Sequence, residues 1–76
     1  MLNQVKFSGK VFNVEFINKG FYKVILRVND STFDVFCKMN DDLALHLIDM
    51  DVVIYGHLEY DVNHHLVIHG NEPIVL

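Results

Sequence analysis

The chain has 76 residues, of which 51% are apolar, with six Phe and three Tyr; this makes one folded domain and excludes a disordered chain. Its net charge of −4, taken alone, argues against nucleic acid, and a single cysteine, Cys37, excludes an internal disulfide and fits a reducing cytoplasm. The opening MLNQVKFSGK does not read as a signal peptide, and no apolar run approaches the roughly 20 residues that span a bilayer, so no membrane partner is expected.

Residues 5–17 (VKFSGKVFNVEFI) are rich in Val and Phe and interrupted by Gly9, which predicts a long first strand bent at a bulge. Asn18-Lys19-Gly20 is a turn signal. FYKVILRV then alternates, with Tyr22, Val24, Leu26 and Val28 on one face and Phe21, Lys23, Ile25 and Arg27 on the other. Asn29-Asp30-Ser31 turns the chain again. TFDVFCKM sets Phe33, Val35, Cys37 and Met39 against Asp34, Phe36 and Lys38, completing a three-strand meander with Tyr22 and Phe33 assigned to the core.

Asn40 or Asp41 is placed to cap a short helix running to about Asp49, with Asp42 at the positive end of its dipole. Leu43, Ala44, Leu47 and Ile48 form its apolar stripe. Leu43, Leu45 and Leu47 also alternate as a strand would, but the Ala and Leu content favours helix. In the closing hairpin, Leu58 and Tyr60 share a face with Leu66 and Ile68 only if Leu58 opposes Ile68, which requires an odd-length loop around Asp61 to His64. Pro73 permits only an edge or terminal continuation before the final IVL. This order of elements is that of an OB-fold: mainly β, a five-stranded Greek-key barrel with one short helix between strands 3 and 4, here spanning 1–76 as a single domain.

IDMDVVIYGHL with the return strand LVIHG resembles the helix-to-hairpin passage of bacterial and phage single-stranded-DNA-binding proteins, where a valine-rich strand runs into Gly and Leu. The resemblance covers most of the chain by element order and about a dozen residues by motif. The chain departs from that family in having no Trp, no long hairpins and no glycine-rich acidic tail, which implies a short footprint on DNA and no tail-mediated recruitment. GKVFNVEFINKGFYKV with FDVFCK also resembles the paired nucleic-acid motifs of cold-shock domains. There, Tyr22 stands where Gly is expected, Lys23 where an aromatic is expected, and no His follows FDVF.

The charge distribution reverses the first impression left by the net charge. All six basic residues (Lys6, Lys10, Lys19, Lys23, Arg27, Lys38) fall within residues 1–38 against three acids, a balance of +3. The remainder has seven acids, no Lys or Arg and all five His, a balance of −7. One basic surface on an otherwise acidic domain follows, unless the split serves solubility alone. OB-folds bind single strands across strands 2 and 3, using cations along the backbone and flat groups on which bases stack. The outward Phe21, Lys23, Arg27, Phe36 and Lys38 supply both, and Lys6 and Lys10 extend the track along strand 1. An outward Phe serves equally as a subunit contact.

By the hairpin register, His57, Glu59, His65 and His69 share its outer face. Zinc would need side chains converging to about 2 Å from one point, and no HxH or CxxC spacing favours His57, His65 and His69 as such a set. No metal or other cofactor is expected. The face reads instead as one that protonates near pH 6 and tightens the hold on an anionic partner. Cys37 faces inward, and no phosphate loop, nucleophile elbow or acid pair in a cleft is present, so catalysis is not expected.

The sequence thus predicts a cytoplasmic, self-associating protein that binds single-stranded DNA with little sequence preference. RNA is the alternative ligand, and replication or recombination proteins are the expected further partners. The rival is a protein-binding adaptor that uses the same outward Phe residues and the acidic half.

Overall fold

Alternation of apolar and polar residues carries over directly into strands. The computed structural model describes residues 3–76; Met1 and Leu2, the start of the stretch read for a leader, lie outside the described residues. The elements are β1 (Gln4–Asn18), β2 (Phe21–Val28), β3 (Ser31–Lys38), α1 (Asp41–His46), β4 (Asp51–Tyr60), β5 (Leu66–Gly70) and β6 (Ile74–Val75). All six strands form one sheet in the order β1-β2-β3-β5-β4-β6, and β1 pairs again with β4, so five strands close into a ring. Every pairing is antiparallel except β3 with β5. Among the described residues no helix is long and apolar enough to cross a membrane.

β1 serves two neighbours in turn. Gln4 to Lys10 pair with β4, and Lys10 to Asn18 pair with β2. The bulge lies at Phe12, just inside the half that pairs with β2, between the Val11 and Asn13 pairings, and a second irregularity follows Phe16. The expected bend at Gly9 is therefore displaced by three residues. Gly9 has a different role: a side chain there would collide with the backbone carbonyl of Arg27, so only glycine lets the end of β2 pass this closely.

Inside the ring lie Val11, Tyr22, Val24, Leu26, Val35, Cys37, Met39, Val52 and Ile54, joined by Ala44 and Leu47 from the helical segment. Burying a side chain such as Leu26, Leu47 or Ile54 contributes about 1.5–3 kcal/mol each over leaving it in water. Phe33, assigned to the core from its parity, is instead 37% exposed and packs its ring against Phe7, 5.6 Å away. It sits where β3 has no β5 neighbour, because the parallel pairing begins only at Val35.

Asn40 caps α1, its side-chain oxygen accepting from the Leu43 N–H at 2.7 Å. The helix stops at His46, short of the expected Asp49. Asp49 adopts φ +71°, and the chain docks on β1 through Asp49 N–H to the Val11 carbonyl (2.8 Å) and Val11 N–H to the Met50 carbonyl (2.9 Å). These tertiary bonds replace the last helical turn. As a result Ile48, expected in the apolar stripe, is 49% exposed, while Leu47 is fully buried.

The closing hairpin has the predicted register, Leu58 opposite Ile68 and Tyr60 opposite Leu66, across the five-residue loop 61–65. Asp61 builds that loop, its carboxylate accepting the N–H groups of Asn63 (2.8 Å) and His65 (2.9 Å). Ile68 packs against the core and Leu58 is half-buried, but Tyr60 and Leu66 are exposed because the hairpin tip overhangs the ring. After Pro73 the chain adds the two-residue edge strand β6 on β4, the terminal continuation that Pro73 allows.

Candidate functional site

On the outside of the ring, β2 and β3 present a checkerboard. Phe21 lies opposite Lys38, and Lys23 lies opposite Phe36. Diagonal neighbours in an antiparallel pair are within reach of aromatic rings. Accordingly Phe21 and Phe36 stack, with centroids 6.0 Å apart and planes 17° apart.

The parallel pairing of β5 with β3 sets His69 beside Phe36 and Gly70 beside Cys37. His69 lies 6.1 Å from the Phe36 ring and 6.5 Å from that of Phe21. On β4, His57 opposes His69, and the two imidazoles stack at 5.7 Å with planes 15° apart. The result is a continuous row of rings, Phe21, Phe36, His69 and His57, crossing four adjacent strands. Gly56 and Gly70 face each other in the β4–β5 pairing. A side chain at position 56 would strike the His69 carbonyl, so glycine permits the approach on which the imidazole stack rests.

Glu59 clasps the end of the row. Its two carboxylate oxygens lie 2.9 Å from His57 Nε2 and 3.2 Å from His69 Nε2. A shallow hollow joins Phe21, Phe36, Lys38, His57, Glu59 and His69. A chain lying along this surface meets flat rings, two ammonium groups and one carboxylate.

The expected basic track is broken up by folding. Lys23 lies 3.4 Å from Glu15 while flanking Phe36, and Lys38 stands exposed beside Phe21. Lys6 sits over the Tyr55 ring (5.8 Å), one outward position along β4 from His57. Lys10 is held away from the row, 3.7 Å from the Asp51 carboxylate and 3.3 Å from the Asp49 carbonyl. Arg27 covers the Phe12 ring (4.8 Å) six residues along β2 from Phe21, about 20 Å at the usual rise of a strand. The structure thus gathers Phe21, Phe36, Lys23 and Lys38, with Lys6 near the far end, and leaves Lys10 and Arg27 apart.

The chain matches no known family model and no curated protein.

The histidines separate into two groups. His65 is in the loop and not on the hairpin face, 3.8 Å from Asp61, because β5 begins only at Leu66 and the His65 N–H donates to the Asp61 carboxylate. Among the described residues no group of three or more His, Cys, Asp or Glu side chains is arranged to hold a metal ion. Cys37 is buried, and burial alone pushes its thiol up to about 12. Sequence reasoning treated the phenylalanine and histidine faces as separate sites. The signal that joins them is the closing pairing of strand 3 with strand 5, whose parallel register fixes Phe36 beside His69.

Proposed function

We propose that the chain is an OB-fold protein that binds single-stranded DNA with little sequence preference, the outward rings stacking bases while Lys23 and Lys38 meet phosphates. The observation that carries this reading is the stacked Phe21–Phe36 pair, set between two lysines on the outer face of a closed sheet. An outward aromatic pair has no part in the core, and base–aromatic stacking contributes about 1–3 kcal/mol per base. The closed five-strand ring with a helix between its third and fourth strands supports the OB-fold assignment. The ligand is a short strand, since the row of rings spans only four β-strands.

The test is a titration with oligo-dT, oligo-rU and duplex DNA at two salt concentrations. Single strands bind, duplex binds far more weakly, and Phe36→Ala reduces affinity by about tenfold or more. Two engaged lysines give a log–log salt slope of about 1.4, from roughly 0.7 per phosphate on a single strand. Failure to bind either single strand at low salt refutes the reading, and a preference for oligo-rU transfers it to RNA. Self-association and a reducing, cytoplasmic setting belong to the same proposal, the first read by sedimentation at several protein concentrations.

A protein-docking role is the second reading. It is favoured by a separate apolar hollow beside α1, lined by Val14, Phe16, Tyr22, Ala44, Leu45 and Ile48. Phe16 and Leu45 on its rim are mostly exposed.

A further inference from the structure

We propose that His69 and His57 are two further stacking positions of this same site, and that protonation of their imidazoles strengthens its grip on a single strand. The inference rests on the single-strand reading above and adds to it a regulation by pH.

The geometry assigns the roles. His69 continues the ring row directly from Phe36, and His57 continues it from His69. Their side chains are 34% and 47% exposed, so both are open to a ligand and to solvent protons. Glu59 lies within hydrogen-bonding distance of Nε2 in each ring. With Nε2–H donating to that carboxylate, the nitrogen left to take a proton is Nδ1. Uptake of a proton there converts an acceptor into a donor and gives the ring a positive charge, suited to a phosphate oxygen. Glu59 remains bonded to Nε2 in both states, so the rings keep their places while their charge changes.

The charges around the row set the direction of the effect. Lys6 and Glu15 of β1, Lys23 of β2, Asp34 and Lys38 of β3, Glu59 of β4, and Asp61 and His65 of the β4–β5 loop all face it or its margins. With the imidazoles neutral, four carboxylates, counting the Glu15 that engages Lys23, outnumber three ammonium groups. The balance of −1 opposes a polyanion. Two imidazolium groups on His57 and His69 change it to +1. His65 lies in the loop beyond the row, 3.8 Å from Asp61. Asp61 stays ionised throughout, held below the usual carboxylate range by the His65 N–H and then the Asn63 N–H.

The experiment is calorimetric titration of the full chain with unlabelled oligo-dT at about pH 7.5 and about pH 5.5, each at two salt concentrations. Thymine carries no group that titrates in this interval. The expected result is roughly tenfold tighter binding at the lower pH, with the salt slope steeper by about 0.7 for each imidazolium engaged. The pair His57→Gln and His69→Gln removes the pH effect and weakens binding at both pH values, leaving the part contributed by Phe21 and Phe36. Glu59→Gln tightens binding at the higher pH. Equal affinity at both pH values overturns the inference and leaves the single-strand reading standing. Tightening that persists in the double Gln variant also overturns it, by assigning the effect to other histidines. No binding at either pH refutes the single-strand reading and the inference together.

Discussion

Gly70→Ala tests the packing beneath the ring row. Gly70 needs no unusual backbone conformation; its lack of a side chain matters because of what surrounds it. A methyl group there would lie 2.6 Å from Ile54 Cγ2, 2.9 Å from Val35 Cγ1 and 3.0 Å from Cys37 Sγ. Carbon atoms pack at about 3.5–4.0 Å, so each neighbour must retreat by roughly half an ångström or more. All three are buried, at 1%, 0% and 0% exposure, and two are β-branched with restricted χ1. Overpacking of this kind costs about 1–3 kcal/mol, against about 0.4–1 kcal/mol that Ala contributes by restricting the unfolded chain. The net loss is about 1–2 kcal/mol. In a domain of this size that lowers Tm by roughly 5–15 °C. Urea unfolding and a thermal melt read it directly. Cys37→Ala opens space on one side of the added methyl, so the double variant is more stable than the sum of the single losses by about 0.5 kcal/mol or more. An unchanged or raised Tm for Gly70→Ala, or strict additivity with Cys37→Ala, refutes the packing argument.

The Cys37 thiol, buried and pushed up from its ordinary 9.0 to about 12, reacts with a thiol reagent at pH 8 only as fast as the chain opens; labelling at the rate of a free thiol in native buffer would contradict its burial. Because its folded value is raised, its contribution to stability is complete below pH 9.0 and is lost as pH climbs toward 12, and Tyr22, raised by its hydrogen bond to Asp41, acts in the same direction; urea midpoints measured from pH 8 upward check the sign. Asn40→Ala removes the acceptor of the Leu43 N–H and lowers stability by about 1 kcal/mol, measured by urea unfolding, while Asn40→Asp retains most of it. Asp61→Ala frees two loop amides, so hydrogen exchange at Asn63 and His65 speeds up while core amides are unaffected. In the parent chain the loop is held above the usual carboxylate range and loosens as pH falls through the depressed Asp61 value.

Much of this fold was legible because its strands are two-faced. In β2 the alternation of Tyr22, Val24 and Leu26 with Phe21, Lys23 and Ile25 separates buried from less buried positions throughout. The Leu58–Ile68 register followed from the same parity. What the sequence left hidden depends on distant partners. The bulge at Phe12 and the early end of α1 both arise where Val11 exchanges backbone bonds with Asp49 and Met50, nearly 40 residues away. Phe33 and Tyr60 have core parity but lie where the neighbouring strand is missing or overhangs, and parity carries no information about where a neighbour stops. In the candidate site, the two Phe and two Lys on β2 and β3 were readable from local alternation. The separation of Lys10 and Arg27 from them was not, because it depends on ion pairs and rings contributed by other strands.

The segregation of charge along the chain proves a poor guide to the surface it makes. Lys10 and Lys23 pair with Asp51 and Glu15, and Lys6 and Arg27 lie across Tyr55 and Phe12, so the basic half does not form one positive face. What distinguishes the outer surface is the line of four rings, and half of that line comes from the acidic half of the chain. The β4–β5 hairpin makes this possible by closing the ring, with β4 returning to β1 and β5 lying parallel to β3. A shift of β5 by one residue would turn His69 inward and Gly70 outward, placing an imidazole among Ile54, Val35 and Cys37. The core therefore enforces the register on which the surface row depends. Gly70 is the residue at which the two requirements meet, filling the inside of the ring with nothing so that its neighbour can complete the row outside.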